Sequence, residues 1–370
     1  MMAAVTIFPG RLGVQQRVLP RYRAPFFDHL AEACEGGLGL YAGSPRPQEA
    51  IPQAQTLTVA QFHHGRNLHL FRTPFYLCWQ LDLMAWLRTW NPDSLIMEAN
   101  PRYPASCSAI YWMHKRGRPV LGWGLGAPEE QNALASARAS LRQRFIKGFD
   151  VLLAYSERGA DEYTALGYPR DRIVVAANAV APPPTRKPLH SPFNDRPARL
   201  IFVGRLQARK RVDLLLRACA ELNPAPDLVI VGDGPERGAL ESLAMQVFPD
   251  AQFIGSQFGK ALQAELELAD LFILPGTGGL AVQQAMAAGL PVIVAEGDGT
   301  QEDLVSDRNG WLVPPGDFAA LVTTIRTALE NPERLVERGD RSYNLTIERF
   351  NIEVMRDQFM HALSLAQEVL

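Results

Sequence analysis

The second half of the chain alternates short apolar runs with longer segments whose apolar residues recur at helical spacing. Arg199–Val203 and Leu228–Val231 are β-rich runs that end at a glycine, and the segment between them places Leu214, Leu215 and Ala218 on one face of a helix. Further strands are predicted at Gln252–Ile254, Leu271–Leu274 and Val292–Ala295, and further helices at Ala261–Ala269 and Leu280–Ala288. This alternation predicts a parallel sheet covered on both faces, with ligands at the carboxyl ends of its strands.

The first half follows the same alternation less regularly. Its predicted strands are Ala4–Phe8, Leu38–Tyr41, Leu95–Glu98, Pro119–Gly122, Val151–Tyr155 and Ile173–Ala176, and its first helix is Pro25–Cys34. Residues 71–90 are rich in aromatic side chains and are predicted as a core helix, and prolines cluster between residues 182 and 197. The pattern predicts an α/β protein of two doubly wound, parallel-sheet (Rossmann-like) domains joined near residues 181–198.

Length and charge agree with two globular domains. The chain has 370 residues, 37 Lys and Arg against 39 Asp and Glu, and 47% hydrophobic residues, which excludes a wholly basic binder and an acidic disordered chain. The charge is unevenly distributed, because residues 1–187 contain 21 basic and 14 acidic residues and the remainder contains 16 and 25. A basic half of this kind suits an anionic acceptor at a membrane surface, and no motif supports nucleic-acid binding.

The spacing of the cysteines and the longest uncharged run indicate the cellular compartment in which we expect the protein. The four cysteines form no CxxC pair, which argues against structural zinc and disulfides and suits a reducing compartment. The run Leu271–Ala295 is long enough for a membrane span, but its prolines and glycines divide it into strand, loop, helix and strand. No signal peptide is recognised, so we expect a cytoplasmic protein, with peripheral contact to the inner face of the membrane as an open hypothesis.

Two loops of the second half carry candidate anion-binding groups. Arg205 and Lys210 follow a strand, where two cations can converge on one phosphate. A solvated basic loop is the simpler interpretation of an arbitrary cluster of this kind, but the position at the ligand-binding edge of a parallel sheet favours the phosphate site. Glycines at 276, 278 and 279 precede a helix whose amides and dipole favour an anion. The loop matches neither the P-loop nor the dinucleotide fingerprint, but together the two loops predict a diphosphate site.

Two other clusters are interpreted as structural. His63, His64 and His69 lack the further ligands of a metal site and are predicted to lie in a polar loop. A basic, aromatic set invites comparison with a membrane-facing surface, but solvated helix faces are the favoured interpretation. That set comprises Arg21, Arg23, Arg138, Arg142, Arg144, Lys147, Phe26, Phe27 and Phe145.

Residues 199–316 resemble a known donor-binding domain. The stretches FVGRLQARKRVDLLLRA, LVIVGDGPERGAL, FIG, ELADLFILPG, GLAVQQAMAAGLPVIVA and NGWLVPPGD are similar, in order and spacing, to the retaining nucleotide-sugar glycosyltransferases of family four (glycosyl transferases group 1). The first half matches more loosely, through RVLPRYRAPFF, AYSERGADEYTALGYPRDRIVV and Asn178-Ala179-Val180. The resemblance implies the GT-B fold, in which two Rossmann-like domains face a central cleft.

The resemblance also implies domain roles. Residues 1–181 correspond to an acceptor-binding domain, 182–198 to a linker and 199–350 to the donor-binding domain, and residues 351–370 to a helix that packs back on the first domain. Family members need no metal and no cofactor in the catalytic step, with the nucleotide-diphosphate sugar as co-substrate.

The family's functional positions map onto this sequence. Arg205 and Lys210 correspond to the catalytic cations that neutralise the diphosphate. The other implied positions are Gly278, Gly279, Leu280 and Ala281 for phosphate and sugar, Gly232, Asp233, Gly255 and Ser256 near the nucleobase, and Gly13 of the first domain near the diphosphate.

The sequence departs from the family at two places. Gly276 and Gln284 stand where the family has two glutamates that contact the sugar and the ribose. Either the donor differs, for example a deoxy sugar, or activity is reduced or lost; Gln284 can still bond ribose hydroxyls. The family's acceptor-side histidine is also missing from Gly122–Gly126, so Glu98, Asn100 and Trp123 become acceptor candidates, with capping or linker-facing roles open for the first two.

The sequence thus predicts a metal-independent hexosyl- or deoxyhexosyltransferase of polysaccharide or glycoconjugate biosynthesis. It would move a sugar from a nucleotide-diphosphate carrier to a glycan or lipid-linked acceptor with retention of configuration. The alternative is a catalytically weak or silent homologue that binds nucleotide sugars or acts as a scaffold. An epimerase of the same architecture would need histidine and carboxylate groups that the sequence does not supply.

Overall fold

The chain divides into two compact units. The computed structural model describes residues 6–49, 51–72, 75–127 and 135–369. One unit comprises residues up to Pro182 together with Ile352–Leu370, and the other comprises Pro183–Asn351. Each unit has its own parallel sheet.

The first unit contains a seven-stranded parallel sheet and a separate antiparallel hairpin. Its strands are β1 (Leu12–Val18), β2 (Leu38–Gly43), β3 (Gln61–His64), β4 (Asn67–Leu70), β5 (Leu77–Gln80), β6 (Ser94–Glu98), β7 (Val120–Gly124), β8 (Val151–Ala154) and β9 (Ile173–Val175). Its helices before the domain boundary are α1 (Ala24–Glu32), α2 (Leu83–Trp90), α3 (Ala105–His114), α4 (Ala135–Ile146) and α5 (Glu157–Ala165). The sheet order is β3-β2-β1-β6-β7-β8-β9, and β4 pairs with β5.

The first strand lies later in the chain than the hydrophobic pattern predicts. Of the predicted strand Ala4–Phe8, the first two residues lie outside the described part, and Phe8 forms only an isolated bridge with Cys34. The strand is β1, whose Gln15 and Gln16 are buried despite their polarity. The Gln15 amide donates to Gln80 Oε1 and the Gln80 amide donates to the Gln16 carbonyl, so these polar groups are satisfied inside the fold.

The aromatic segment at residues 71–90 is not a single helix, so that prediction is wrong. Its described residues form β5 followed by α2. In β5, Cys78 and Gln80 are buried while Trp79 between them is exposed, which is the alternation of a strand with one solvated face. The helix was predicted from the aromatic content of the segment, and the alternation of buried and exposed residues in β5 was not recognised.

The second unit contains a six-stranded parallel sheet. Its strands are β10 (Arg199–Val203), β11 (Asp227–Val231), β12 (Gln252–Gly255), β13 (Leu271–Leu274), β14 (Val292–Ala295) and β15 (Gly310–Val313). Its helices are α6 (Val212–Ala220), α7 (Arg237–Val247), α8 (Gly259–Leu268), α9 (Leu280–Ala287), α10 (Thr300–Leu304), α11 (Phe318–Leu329) and α12 (Pro332–Glu348). The order is β12-β11-β10-β13-β14-β15, which confirms the five strands predicted in this half within one residue at each end.

The last helix, α13 (Ile352–Glu368), belongs to the core of the first unit. Phe359 packs with its ring centroid 5.0 Å from both Phe26 and Trp123. The proline-rich segment between residues 183 and 197 belongs to the second unit. There Arg196 forms two hydrogen bonds with the buried Asp270 carboxylate. Within the described residues, no helix is long and apolar enough to cross a membrane.

Candidate functional site

The two anion-binding loops predicted from the sequence meet at one place on the second sheet. The strand order reverses between β10 and β13, and crevices at such a reversal, outside the carboxyl ends of the strands, are where open α/β sheets bind ligands. The loop after β10 carries Arg205 and Lys210, and the loop after β13 carries Gly276–Gly279. Thr277 N donates to the Arg209 carbonyl over 3.1 Å, so the loops are in direct contact.

Lys210 is a buried cation at this junction. Its Nζ donates to the Thr277 carbonyl over 2.7 Å, and within the described residues no carboxylate pairs with it. Burial, reinforced by the neighbouring Arg209 charge, lowers the pKa of Lys210 to about 8. A buried ammonium group without a counter-ion is costly, so this arrangement suits a site in which an anionic ligand supplies the missing charge.

The beginning of α9 lies beside this ammonium group. A Cβ atom added to Gly278 would collide with Lys210 Nζ, which places the glycine backbone against the cation. No side chain caps the helix at Gly279, and the first amides of a helix, here from Leu280 and Ala281, have no partner within the helix. Arg205 is exposed on the facing loop. The structure thus places Lys210 against the predicted phosphate and sugar positions, and Arg205 lies on the same loop as Lys210.

Gly276 is buried where the two loops touch. A Cβ atom at this position would collide with the Arg209 carbonyl oxygen and lie 2.6 Å from the Lys210 carbonyl carbon. The glycine is therefore required by the close approach of the two loops, and a glutamate side chain has no room here. Gln284, the other departure from the family pattern, is exposed on α9.

The residues predicted near the nucleobase lie at the ends of the next two strands. Gly232 N donates to the Gly255 carbonyl over 2.8 Å, and Leu206 N donates to the Asp233 carbonyl over 2.9 Å. These bonds join the ends of β10, β11 and β12, and Ser256 is exposed just beyond β12. The Asp233 carboxylate accepts from Gly234 N and lies 3.5 Å from Arg237 Nη1.

In the first unit, Gly13 does not lie in a loop. It is the second residue of β1, buried and paired with Gly39 and Leu95, near the amino end of the strand. Ligand sites of parallel sheets lie at the opposite end, so the prediction that Gly13 approaches the diphosphate is wrong. The error follows from the misplaced first strand.

The acceptor candidates separate into two environments. Trp123 is enclosed in the core by Phe26, Phe27 and Phe359, which argues against direct contact with an acceptor. Glu98 ends β6, where its Oε1 accepts from Arg17 N over 3.0 Å and burial raises its pKa. Asn100 follows in a turn and accepts from the Arg102 backbone through its side-chain oxygen.

Sequence reasoning missed Arg23 as a candidate at this edge. Arg23 is buried, its Nη2 donates to Tyr155 Oη over 3.0 Å, and its guanidinium carbon lies 4.6 Å from the Trp123 ring centroid. Its Nη1 has no partner among the described residues, although it is buried. The signal that would have identified this residue is its position just after β1, at the point where the order of the first sheet reverses.

The basic, aromatic surface considered from the sequence does not form. Phe26 and Phe27 are fully buried, Phe145 is nearly so, and Arg23 is enclosed by aromatic rings. The Arg138 side chain lies outside the described part. His63 stacks on Tyr41, and His69 Nδ1 lies 2.8 Å from Tyr76 Oη, so the histidines make protein contacts in strands rather than in a loop.

Two family models match consecutive parts of the chain. The model for glycosyl transferases group 1 matches residues 186–344, and the model for glycosyltransferase family 4 matches residues 39–182. The matched regions follow the two structural units closely.

Curated relatives agree with these matches. A GDP-mannose-dependent alpha-mannosyltransferase of Mycobacterium tuberculosis is 40% identical over 120 residues, which are 32% of this chain and 30% of that protein. The putative colanic acid biosynthesis glycosyltransferase WcaL of Escherichia coli is 30% identical over 199 residues, or 49% of this chain and 47% of that protein. The matches thus span about half or less of these relatives' own lengths.

Solved structures share the fold across nearly the whole chain. The apo lipopolysaccharide outer core galactosyltransferase WaaB superposes with a TM-score of 0.70 at 18% identity, covering 96% of this chain and 99% of that one. Anabaena Alr3699/HepE in complex with UDP gives 0.71 at 16% identity with the same coverage. The matched models, the relatives and the shared fold lead to one conclusion: the chain belongs to the GT-B glycosyltransferases of family four.

Proposed function

We propose that this protein transfers a sugar from a nucleoside-diphosphate sugar to a glycan or lipid-linked acceptor in polysaccharide or glycoconjugate biosynthesis. The observation that carries the proposal is Lys210, a buried cation that faces the start of α9 and has no carboxylate partner in the described part of the chain. The proposal includes retention of anomeric configuration and a catalytic step that needs no metal. The UDP complex of a structural neighbour and the GDP-mannose dependence of a relative support a nucleotide donor.

The chemistry follows from where charge develops. Cleavage of the anomeric C–O bond leaves negative charge on the diphosphate, and preorganised cations and amides stabilise such charge in the transition state. Lys210, Arg205 and the first amides of α9 are the groups proposed for this role. The departing phosphate then takes the proton of the acceptor hydroxyl, and the acceptor attacks on the face that the phosphate leaves.

The acceptor is proposed to bind at the carboxyl edge of the first sheet. Glu98 offers a carboxylate whose pKa is raised by burial, and Arg23 offers a buried N–H that has no partner within residues 6–49, 51–72, 75–127 and 135–369. A hydroxyl or phosphate oxygen of the acceptor would satisfy that donor. Asn100 extends the same edge.

The donor sugar is proposed to differ from that of the wider family. Gly276 leaves no side chain to hold a sugar hydroxyl, and the contact between the two loops excludes a larger residue. A deoxy sugar that lacks this hydroxyl fits the site. Gln284, exposed on α9, is proposed to bond the ribose hydroxyls in place of a glutamate.

Turnover of a nucleotide-sugar panel tests the proposal. Release of nucleoside diphosphate from UDP-, GDP-, ADP- and dTDP-sugars should be detectable for at least one donor. Arg205→Ala should lower that rate at least about a hundredfold, the scale of removing one preorganised donor. The matched control is Arg217→Ala, an exposed arginine on α6, which should keep the wild-type rate. Binding of a nucleotide sugar without any turnover would favour the silent homologue instead.

A further inference from the structure

The hairpin formed by β4 and β5 presents large apolar side chains to solvent. Leu68 and Trp79 are cross-strand partners and are 44% and 46% exposed. Phe71, Phe75 and Leu81 are 69%, 65% and 51% exposed at the tip and end of the hairpin. We call these five residues the aromatic hairpin face. Such a cluster differs from scattered exposed apolar residues and marks an interaction surface.

The opposite side of the hairpin is fixed to the first unit. Asn67 Nδ2 donates to the Arg17 carbonyl over 2.7 Å, and His69 Nε2 lies 2.9 Å from the Ser44 carbonyl oxygen. Cys78 and Gln80 alternate with Trp79 and are buried. The strand alternation therefore holds the hairpin in place through one side and directs the aromatic hairpin face outward.

The charged residues of the hairpin itself are both arginines. Residues 66–81 contain Arg66 and Arg72 and no acidic residue. The Arg66 side chain is 75% exposed, with its Nε 3.9 Å from Asp82 Oδ2, and Arg72 is exposed. The neighbouring Asp82 carboxylate accepts from Tyr41 Oη over 2.6 Å and from Arg66 N over 2.9 Å, so it is largely occupied by protein donors.

We propose that the aromatic hairpin face inserts into the interfacial region of an anionic lipid membrane. Aromatic rings favour the level of the headgroups, and arginines beside them attract anionic lipids. The hairpin is bonded to Arg17 at the end of β1, next to Glu98, so a lipid-linked acceptor held in that membrane would lie close to the proposed acceptor edge. This inference deepens the proposed function and rests on it only for the identity of the acceptor.

Vesicle cosedimentation of the full chain tests the proposal without any donor. The wild-type protein should bind vesicles of phosphatidylglycerol and phosphatidylcholine. Combined Phe71→Gln, Phe75→Gln and Trp79→Thr substitutions should weaken binding at least about tenfold, because the inserted apolar area is lost. The control is Tyr111→Gln, an equally exposed aromatic residue on α3 of the same unit, which should bind as wild type.

A charge variant tests separately whether the two arginines contribute to membrane binding. Arg66→Gln with Arg72→Gln should lose about thirtyfold in affinity for the anionic vesicles, from roughly one kilocalorie per mole for each arginine. It should bind pure phosphatidylcholine as weakly as wild type. Thermal unfolding and nucleoside-diphosphate binding should match wild type in all hairpin variants.

Three results would overturn the proposal. These are wild-type protein that does not bind anionic vesicles, aromatic variants that bind as wild type, and a dimer in solution that these variants dissociate. The last result would assign the face to a second copy of the chain. Failure of nucleoside-diphosphate binding would count against the proposed function and leave the vesicle result unaffected.

Discussion

Two cations of the second unit, the half-exposed Arg196 and the buried Lys210, show how a structural charge differs from one that awaits a ligand. Arg196 reaches the buried Asp270 carboxylate with two hydrogen bonds of 2.6 and 2.7 Å, so both charges are neutralised within the protein. Among the residues that the structure describes, Lys210 has only the Thr277 carbonyl and a neighbouring arginine as polar neighbours. An ion pair such as Arg196–Asp270 is a common structural element. A buried charge such as Lys210 carries a desolvation cost until an anion binds.

Donor binding should therefore depend on pH through Lys210. In the ligand-free protein the pKa of this lysine is about 8, below its ordinary value of 10.5, because of burial and the Arg209 charge. A bound diphosphate favours the charged form and raises the pKa again. Below pH 8 the ammonium group is already present, so affinity should be highest there. Above pH 8 binding must take up a proton, so affinity should fall by up to about tenfold per pH unit.

Calorimetry between pH 7 and 10 with the preferred nucleoside diphosphate measures this dependence. Lys210→Arg is the matched control, because a guanidinium stays charged throughout this range and should remove the decline. Proton uptake, seen as a dependence of the heat on buffer identity, should accompany wild-type binding near pH 9. A flat wild-type profile would contradict the assignment of Lys210 as the ligand's counter-charge.

At the scale of elements, the site depends on two loops that touch through their backbones. Gly276→Ala should destabilise the protein by about 1–3 kcal/mol, since its Cβ would displace the Arg209–Lys210 turn, and should weaken nucleoside-diphosphate binding at least about tenfold. Gly279→Ala is the matched stability control from the same loop, because its Cβ would meet other atoms only at 3.6 Å. Denaturant unfolding and calorimetry measure the two effects.

Gly276→Glu gives the sharper comparison, because it restores the residue expected from the family. We expect it to lose affinity as Gly276→Ala does. A gain in nucleotide-sugar turnover would show that the loops open to admit the side chain, which would contradict the close contact between the two loops at Gly276.

The elements that were predictable are those with uninterrupted apolar character. Strands β10, β11 and β13 are buried runs ended by glycine or proline, and such runs were placed almost to the residue. Strand β1 was misplaced because Gln15 and Gln16 break its apolar pattern, and their partners across the fold cannot be deduced from local sequence. The hairpin was missed because aromatic residues occur on both its buried and its exposed side.

The candidate site divides in the same way. The local sequence was sufficient to predict Arg205, Lys210 and the glycines before α9. The end of β10 positions the two cations, and the start of α9 positions the glycines. The prediction for Gly13 failed because the first strand was misplaced. The environment of Arg23 depends on rings from several elements. The environments of such residues are determined by contacts between distant parts of the chain, and no local sequence pattern encodes those contacts.

At the scale of the whole molecule, the charge contrast between the halves of the chain is smaller than the sequence suggested. The first unit includes α13, whose segment Ile352–Leu370 carries three acidic residues and one arginine. With this segment counted, the first unit contains 20 basic and 17 acidic residues, and the second contains 17 and 22. Net charge per unit therefore does not explain the proposed recognition of anions, which rests on local groups: Lys210 in one unit and the arginines beside the aromatic hairpin face in the other.

Calorimetric titration of UDP, GDP, ADP and dTDP into the wild-type protein and into Lys210→Met at neutral pH tests most directly whether Lys210 is the counter-charge of a bound diphosphate. The wild type should bind at least one of the four, and the variant should lose that binding. Ligand-free Lys210→Met should also unfold at a higher temperature, gaining about 1–3 kcal/mol, since it removes an uncompensated buried charge at the cost of one hydrogen bond. Unchanged nucleotide binding by a stably folded Lys210→Met would contradict the role proposed for Lys210.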